Sequence, residues 1–230
     1  MAKKMLLEID ELKRQILKIG AMVEENLRNS YLAFTNKDVL LARQVVLMDE
    51  DVDDAEISVE EECLRILTLF QPVASDLRFV VTVLKINNDL ERVGDLAAKI
   101  GRKINLLDKK NILQVELSDS KRRIPTQLDA MFSMTIKLLK QSLDAFVNED
   151  TDLAHKILIM DVEVDEAKHM IRQEIEEIIS EDASQYVHLT QMLAISRALE
   201  RISDHCTNIA ENVIYLHEGH IVRHDEVLRR

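Results

Sequence analysis

Proline and glycine are nearly missing from this chain of 230 residues: two prolines and four glycines stand where average usage would supply about 27 of the pair. Sandwiches, barrels and Greek keys need a turn residue every few positions, and nucleotide-binding folds need glycine-rich phosphate loops, so both classes are excluded. Two cysteines, Cys63 and Cys206, are too few for a disulfide framework and are expected as buried thiols on apolar helix faces. Tryptophan is absent and aromatics reach only 3%, which with a net charge of −12 leaves neither stacking platforms nor a basic face for nucleic acid. No uncharged apolar run approaches the 18 or so residues of a membrane span, and the opening MAKKMLLEID meets acids too early for a signal peptide, so a cytoplasmic location is expected. There is also no Gly-x-Ser-x-Gly or P-loop and no other nucleophile constellation, so no catalytic role is expected.

What remains is hydrophobic residues at 47% and charged residues at 31%, the makings of long amphipathic helices. The chain also repeats itself. At an offset of 112, Met22, Leu27, Ser30, Ala33, Phe34, Asp38, Ala42, Met48, Asp49, Val52, Asp53, Ala55 and Glu62 fall on identical residues between Met134 and Glu174. At an offset of 109, Leu90, Glu91, Arg92, Asp95 and Ile100 match Leu199, Glu200, Arg201, Asp204 and Ile209. Each copy reads as three helices. The seam Val83, Ile86, Leu90, Val93, Ala97, Ile100, Ile104, Leu107 steps by three and four, and Met192, Ile195, Leu199, Ile202, Cys206, Ile209, Val213, Leu216 repeats it. Val45, Met48, Val52, Ala55 and Val59 mark the middle helix of the first copy, as Ile157, Met160, Val164, Ala167 and Ile171 mark that of the second.

The expected fold is therefore all-α, two tandem three-helix bundles related by internal duplication: residues 1–108, a linker at 109–124, and residues 125–230. Breaks are placed at Asn36-Lys37-Asp38, at Asn148-Glu149-Asp150 and at Asp182-Ala183-Ser184, with Pro72 opening the third helix and Ser118 or Asp119 available as an N-cap within the linker.

Four Asp/Glu-x-x-x-Asp pairs occupy duplicated positions: Asp49 and Asp53, Glu91 and Asp95, Asp161 and Asp165, Glu200 and Asp204. Four residues make about one helical turn, so each pair stacks on one face, off the apolar seam and toward solvent. Two helices presenting such pairs to each other would gather four carboxylates, which is costly unless protons or cations neutralise them. Oxygen ligands of this kind suit iron, manganese, magnesium or calcium, and zinc is admissible. A solvated acidic face explains any single pair, and the duplicated register is what favours metal. Glu166-x-x-His169 occurs once, where a di-iron bundle needs two such motifs, and His217, His220 and His224 are expected as a histidine-bearing tail. His205 follows Asp204 directly and points about 100° away from it.

The segments Leu90-Glu91-Arg92-Val93-Gly94-Asp95, Leu199-Glu200-Arg201-Ile202-Ser203-Asp204 and Pro72-Val73-Ala74-Ser75-Asp76-Leu77-Arg78 resemble the PhoU family of phosphate-transport regulators, and the resemblance covers essentially the whole chain. It implies paired three-helix bundles and metal clusters, iron or zinc, on the Glu/Asp-x-x-x-Asp motifs. It also implies a non-enzymatic role between the ATPase subunit of a phosphate ABC transporter and a phosphate-sensing histidine kinase. The protein would then reach the membrane only through those partners, and a homodimer is a further expectation. The family's Asn four residues beyond the motif Asp is present as Asn208 but is Lys99 in the first copy, where Arg102 also stands in place of Glu211. On that basis the second copy is expected to hold metal more tightly. The family's Gly is kept as Gly94 and replaced by Ser203, a change expected to be neutral on a helix surface.

Overall fold

The computed structural model describes residues 2–109 and 123–220. They form six long helices, α1 (Ala2–Thr35), α2 (Val39–Phe70), α3 (Ala74–Lys109), α4 (Leu128–Asn148), α5 (Thr151–Glu181) and α6 (Tyr186–Glu218), with a 3₁₀ turn at Ala183–Gln185 before the last. No strand occurs among the described residues. The helices α1 to α3 pack on one another, as do α4 to α6.

The same chemistry starts the middle helix of each repeat. Asp38 and Asp150, equivalent in the duplication, sit in extended backbone and accept a hydrogen bond from the amides of Leu41 and Leu153, satisfying one open donor of the first turn. Asp182 does the same for Ser184 and opens the 3₁₀ turn. Pro72 does not begin α3 but lies in the three-residue break 71–73, and the first helical residue is Ala74. The helix α4 begins after Gln127, which makes no side-chain cap, while Ser118 and Asp119 lie outside the described residues.

Nearly all of the seam positions are buried. Val83, Ile86, Leu90, Val93, Ala97, Ile100, Ile104 and Leu107 are fully covered, as are Cys63 and Cys206, whose thiol pKa values burial pushes up. The buried residues of both repeats form one continuous cluster, because α1 packs on α4 and α3 on α6. Tyr31, Phe34 and Phe132 stack across the first of these contacts, and the Tyr31 hydroxyl donates to Asp129 at 2.7 Å. Across the second, Lys85 lies over the Tyr215 ring and Asp89 meets His205 and Asn208, so residue numbers rise on α3 as they fall on α6. The two helices are antiparallel.

Gly101 has a packing reason to be glycine. A Cβ there would stand 2.8 Å from the carbonyl oxygen of Ala42, so its absence lets α3 close onto the backbone of α2.

A candidate metal centre in each repeat

The crossing of α2 and α3 assembles the first set of acids. Asp49, Asp53 and Glu56 recur at one-turn intervals along α2, and Glu91 and Asp95 face them from α3. Asp49 is buried, 9% exposed, which departs from the outer face expected of it. Loss of hydration, then the charges of Asp95 and Asp53, push its pKa up to about 6, with Arg102 opposing. Its Oδ1 is buried without a hydrogen-bond partner. Glu91 is raised by desolvation against the pull of Arg92, and Asp95, Asp53 and Glu56 add to the rise. The nearest cations are loosely engaged: Arg102 lies 3.9 Å from Asp49 Oδ2, and Arg92 lies 3.3 Å from Glu91 and 3.6 Å from Asp95.

The crossing of α5 and α6 repeats the plan. Asp204 keeps a solvent-exposed edge, yet partial desolvation, then Glu200, Asp161 and Asp165, push its pKa up to about 6, with His205 opposing. Two differences distinguish the sites. Lys168, equivalent to Glu56, donates to Glu200 Oε1 at 2.6 Å. Ser203, equivalent to Gly94, donates its hydroxyl to Asp161 Oδ1 at 2.5 Å, so the oxygen left unpartnered on Asp49 is satisfied on Asp161. Ser203 is fully buried, and the expectation of a neutral change on a helix surface is corrected: this position is the contact point of two helices.

Eight of the nine expected ligands thus fall into two carboxylate clusters, four in each repeat. Asn208 is turned elsewhere. Its amide donates to Asp89 Oδ1 of α3 at 3.1 Å, beside His205 Nδ1 at 2.9 Å from the same oxygen, so both serve the contact between repeats. Lys99 is exposed and lines a cleft toward α6. Glu56, Lys168 and Asp89 join these sites and the contact between repeats without having been expected from the sequence. The first two were legible as the next one-turn step after Asp53 and Asp165, whereas Asp89 faces Ala198 in the duplication and has no counterpart to draw attention to it.

Carboxylates alone, crowded enough to raise their own pKa values, make a donor set that fits a hard cation. Among the described residues, however, no three His, Cys, Asp or Glu side chains converge closely enough to hold an ion as they stand. Side-chain rotation on half-exposed Asp53, Asp95, Asp165 and Asp204 would have to complete either site.

A duplicated pair of three-helix bundles, each carrying a carboxylate cluster between its second and third helices, defines an α-helical repeat protein with two candidate cation sites. The PhoU domain model matches residues 16–104 and 128–213, which together make up most of the chain. PhoU homolog 1 of Thermotoga maritima, a phosphate-specific transport system accessory protein, is 34% identical over 92% of this chain and 88% of its own length. The accessory protein PhoU of Escherichia coli K12 is likewise 34% identical, over 94% and 86%. Crystal structures of PhoU from Pseudomonas aeruginosa (33% identity, TM-score 0.86, 93% of this chain and 99% of that one) and from Streptococcus pneumoniae (29%, 0.84, 95% and 99%) share the fold. The chain belongs to the PhoU family.

Proposed function

We propose that this protein is a metal-binding adaptor that restrains phosphate uptake and the phosphate-starvation response by binding the ATPase subunit of a phosphate ABC transporter and a phosphate-sensing histidine kinase. The observation that carries the metal part is the double gathering of carboxylates, with Asp49 and Asp204 both pushed up to about 6 by desolvation and like charge. Such groups gain when a cation replaces the missing water. Asp49, Asp53, Glu91 and Asp95 would hold one iron or zinc centre, and Asp161, Asp165, Glu200 and Asp204 the other. The bound cation would supply positive charge that draws adjacent helices together and stiffens a docking face. The partner assignment is supported by the relatives, which are accessory proteins of the phosphate-specific transport system. No helix of the described residues is long and apolar enough to cross a membrane, so contact with a transporter would be made through its cytoplasmic parts.

Lys168 on Glu200 favours a second reading, in which the clusters are metal-free and neutralised by the protein's own cations. It also bears on which repeat binds first. Lys99 and Arg102 were expected to count against metal in the first repeat, but Arg92 and Arg102 stand only within 3.3–3.9 Å of its carboxylates while Lys168 stands 2.6 Å from Glu200. The first repeat therefore has the less compensated carboxylates.

The test combines two measurements. Metal content of protein purified without a histidine tag should be one or more ions per chain, and E91Q/D95N should lose more of it than E200Q/D204N, with K168Q raising occupancy of the second site. Absence of metal in all of these would leave the scaffold reading. Deletion of the gene should leave phosphate-starvation genes on in rich phosphate, and normal repression in that strain would defeat the regulatory role.

A further inference from the structure

A cleft of about 210 Å³ opens between α3 and α6, and its lining is out of character with an acidic protein. Arg92, Lys99 and Arg102 enter it from α3 and Arg201 from α6, with His205, Leu96 and a single carboxylate, Asp95. Four permanent cations thus meet one acid in a chain of net charge −12. We propose that this cleft binds a phosphate group, either inorganic phosphate or the phosphoryl end of a small phosphomonoester.

Two observations make the cations available. Lys99 and Arg201 have no carboxylate partner among the described residues, and both are exposed. Arg92 and Arg102 touch acids only at 3.3–3.9 Å, longer than the roughly 2.7–2.9 Å of a charge-assisted hydrogen bond, Arg102 Nη2 donates besides only to the Asp95 backbone carbonyl at a long 3.4 Å, and their side chains are 61% and 50% exposed. Their donors are therefore free to turn into the cleft. Guanidinium forks match the oxygens of phosphate in pairs, and forks arriving from two helices can grip a tetrahedral anion from both sides.

Size sets the class of ligand. The cleft is smaller than the roughly 300–1,000 Å³ of pockets that enclose drug-sized molecules, so a free ion or one phosphoryl group fits and a whole nucleotide does not. Position adds a structural reason. Arg92 and Arg201 are the same residue of the two repeats, brought side by side by the antiparallel crossing, so the site exists only where both repeats are docked. It would report the contact between them.

The cleft shares Asp95 with the candidate metal centre of the first repeat, so the test uses full-length protein in excess chelator, where phosphate cannot be carried on a bound ion. Titration calorimetry with inorganic phosphate, and separately with adenosine monophosphate, should show one site per chain. The R201A and K99A variants should each weaken it about tenfold, as loss of one charge-assisted contact does, and R201K should recover part of the loss. K140A, an exposed cation on α4, should change nothing. Binding of inorganic phosphate alone would assign the cleft to the free ion, and binding of both to the phosphoryl group. No binding of either, or equal weakening by K140A and R201A with circular dichroism unchanged in both, would overturn the proposal.

Discussion

Replacing Gly94 by serine asks whether one hydroxyl accounts for the difference between the two carboxylate sites. A Cβ at Gly94 would stand 3.5 Å from the unpartnered Asp49 Oδ1 and 3.2 Å from Val52 Cγ1. The second repeat already contains the product of this experiment, since Ser203 donates to Asp161 and the valine is present there as Val164. Serine gains about 0.5 kcal/mol over glycine in a helix interior. A hydrogen bond to a charged acceptor contributes about 1.5–3 kcal/mol, from which ordering the hydroxyl and displacing Val52 by a few tenths of an ångström subtract. A net gain of about 1–2 kcal/mol corresponds to a Tm rise of about 3–6 °C in a protein of this size.

The pH dependence separates the hydrogen bond from helix propensity. Because the folded-state pKa of Asp49 lies at about 6, above the unfolded 3.8, its contribution to stability is fully present below about pH 3.8 and is lost as pH rises through 6. Asp204 behaves in the same way and is untouched by the substitution. A serine hydroxyl favours the ionised carboxylate, so it should lower the Asp49 pKa and restore part of what is lost. The Tm gain of G94S should then be larger at pH 7.5 than at pH 4.5, measured by circular dichroism in chelator. Equal gains at both values would mean that only propensity had changed, and a loss at both that crowding against Val52 had won.

Two further substitutions probe the packing that positions these sites. G101A adds about 1 kcal/mol of helix propensity but drives a methyl group to 2.8 Å from the Ala42 carbonyl, an overpacking that costs about 1–3 kcal/mol, so its melting temperature should fall; G20A, which meets only the movable end of Leu143, should fall less or not at all. D89A strips the shared acceptor from His205 and Asn208 and should cost about 1–3 kcal/mol in urea denaturation at neutral pH, while D89N, which keeps a carbonyl acceptor, should cost less; an unchanged D89A would show that the α3–α6 contact rests on its apolar residues alone.

Local pattern made much of this fold legible. The three-four spacing from Val83 to Leu107 is a property of one helix, and every one of those positions is buried. Asn36-Lys37-Asp38 and Asn148-Glu149-Asp150 marked two helix boundaries, and the structure adds that Asp38 and Asp150 are the N-caps there, acting within three residues. The carboxylate clusters were legible for a related reason, since one-turn spacing fixes a face and duplication shows which faces matter. The contact between repeats was not. It depends on where the two copies differ, Asp89 against Ala198 and His205 against Leu96, and an internal alignment discards such positions as mismatches. Ser203 misled for the opposite reason: read as an exposed variant of Gly94, it is in fact buried where α6 meets α5, and only the neighbouring helix gives its hydroxyl a partner.

The two sites reach the same charge by different routes. Asp49, Asp53, Glu56, Glu91, Asp95, Arg92 and Arg102 comprise five acids and two bases, and so do their equivalents Asp161, Asp165, Lys168, Glu200, Asp204, Arg201 and Glu211, giving −3 in each repeat. What moved is one base, from the third helix in the first repeat, as Arg102, to the middle helix in the second, as Lys168. At the position of Glu56 and Lys168 the middle helix is tied to the third in both repeats, but the ties differ in kind. Asn87 donates its amide to the Glu56 carbonyl at 2.9 Å, a neutral tie that leaves the carboxylates uncompensated. Lys168 donates to Glu200 directly, a tie that is itself the compensation. A half-exposed Arg102 at 3.9 Å is screened by water and salt and offsets little of the charge around Asp49. On the proposed metal reading, the first repeat is therefore the one whose helices an added cation would draw together, and the second the one that Lys168 already ties without it.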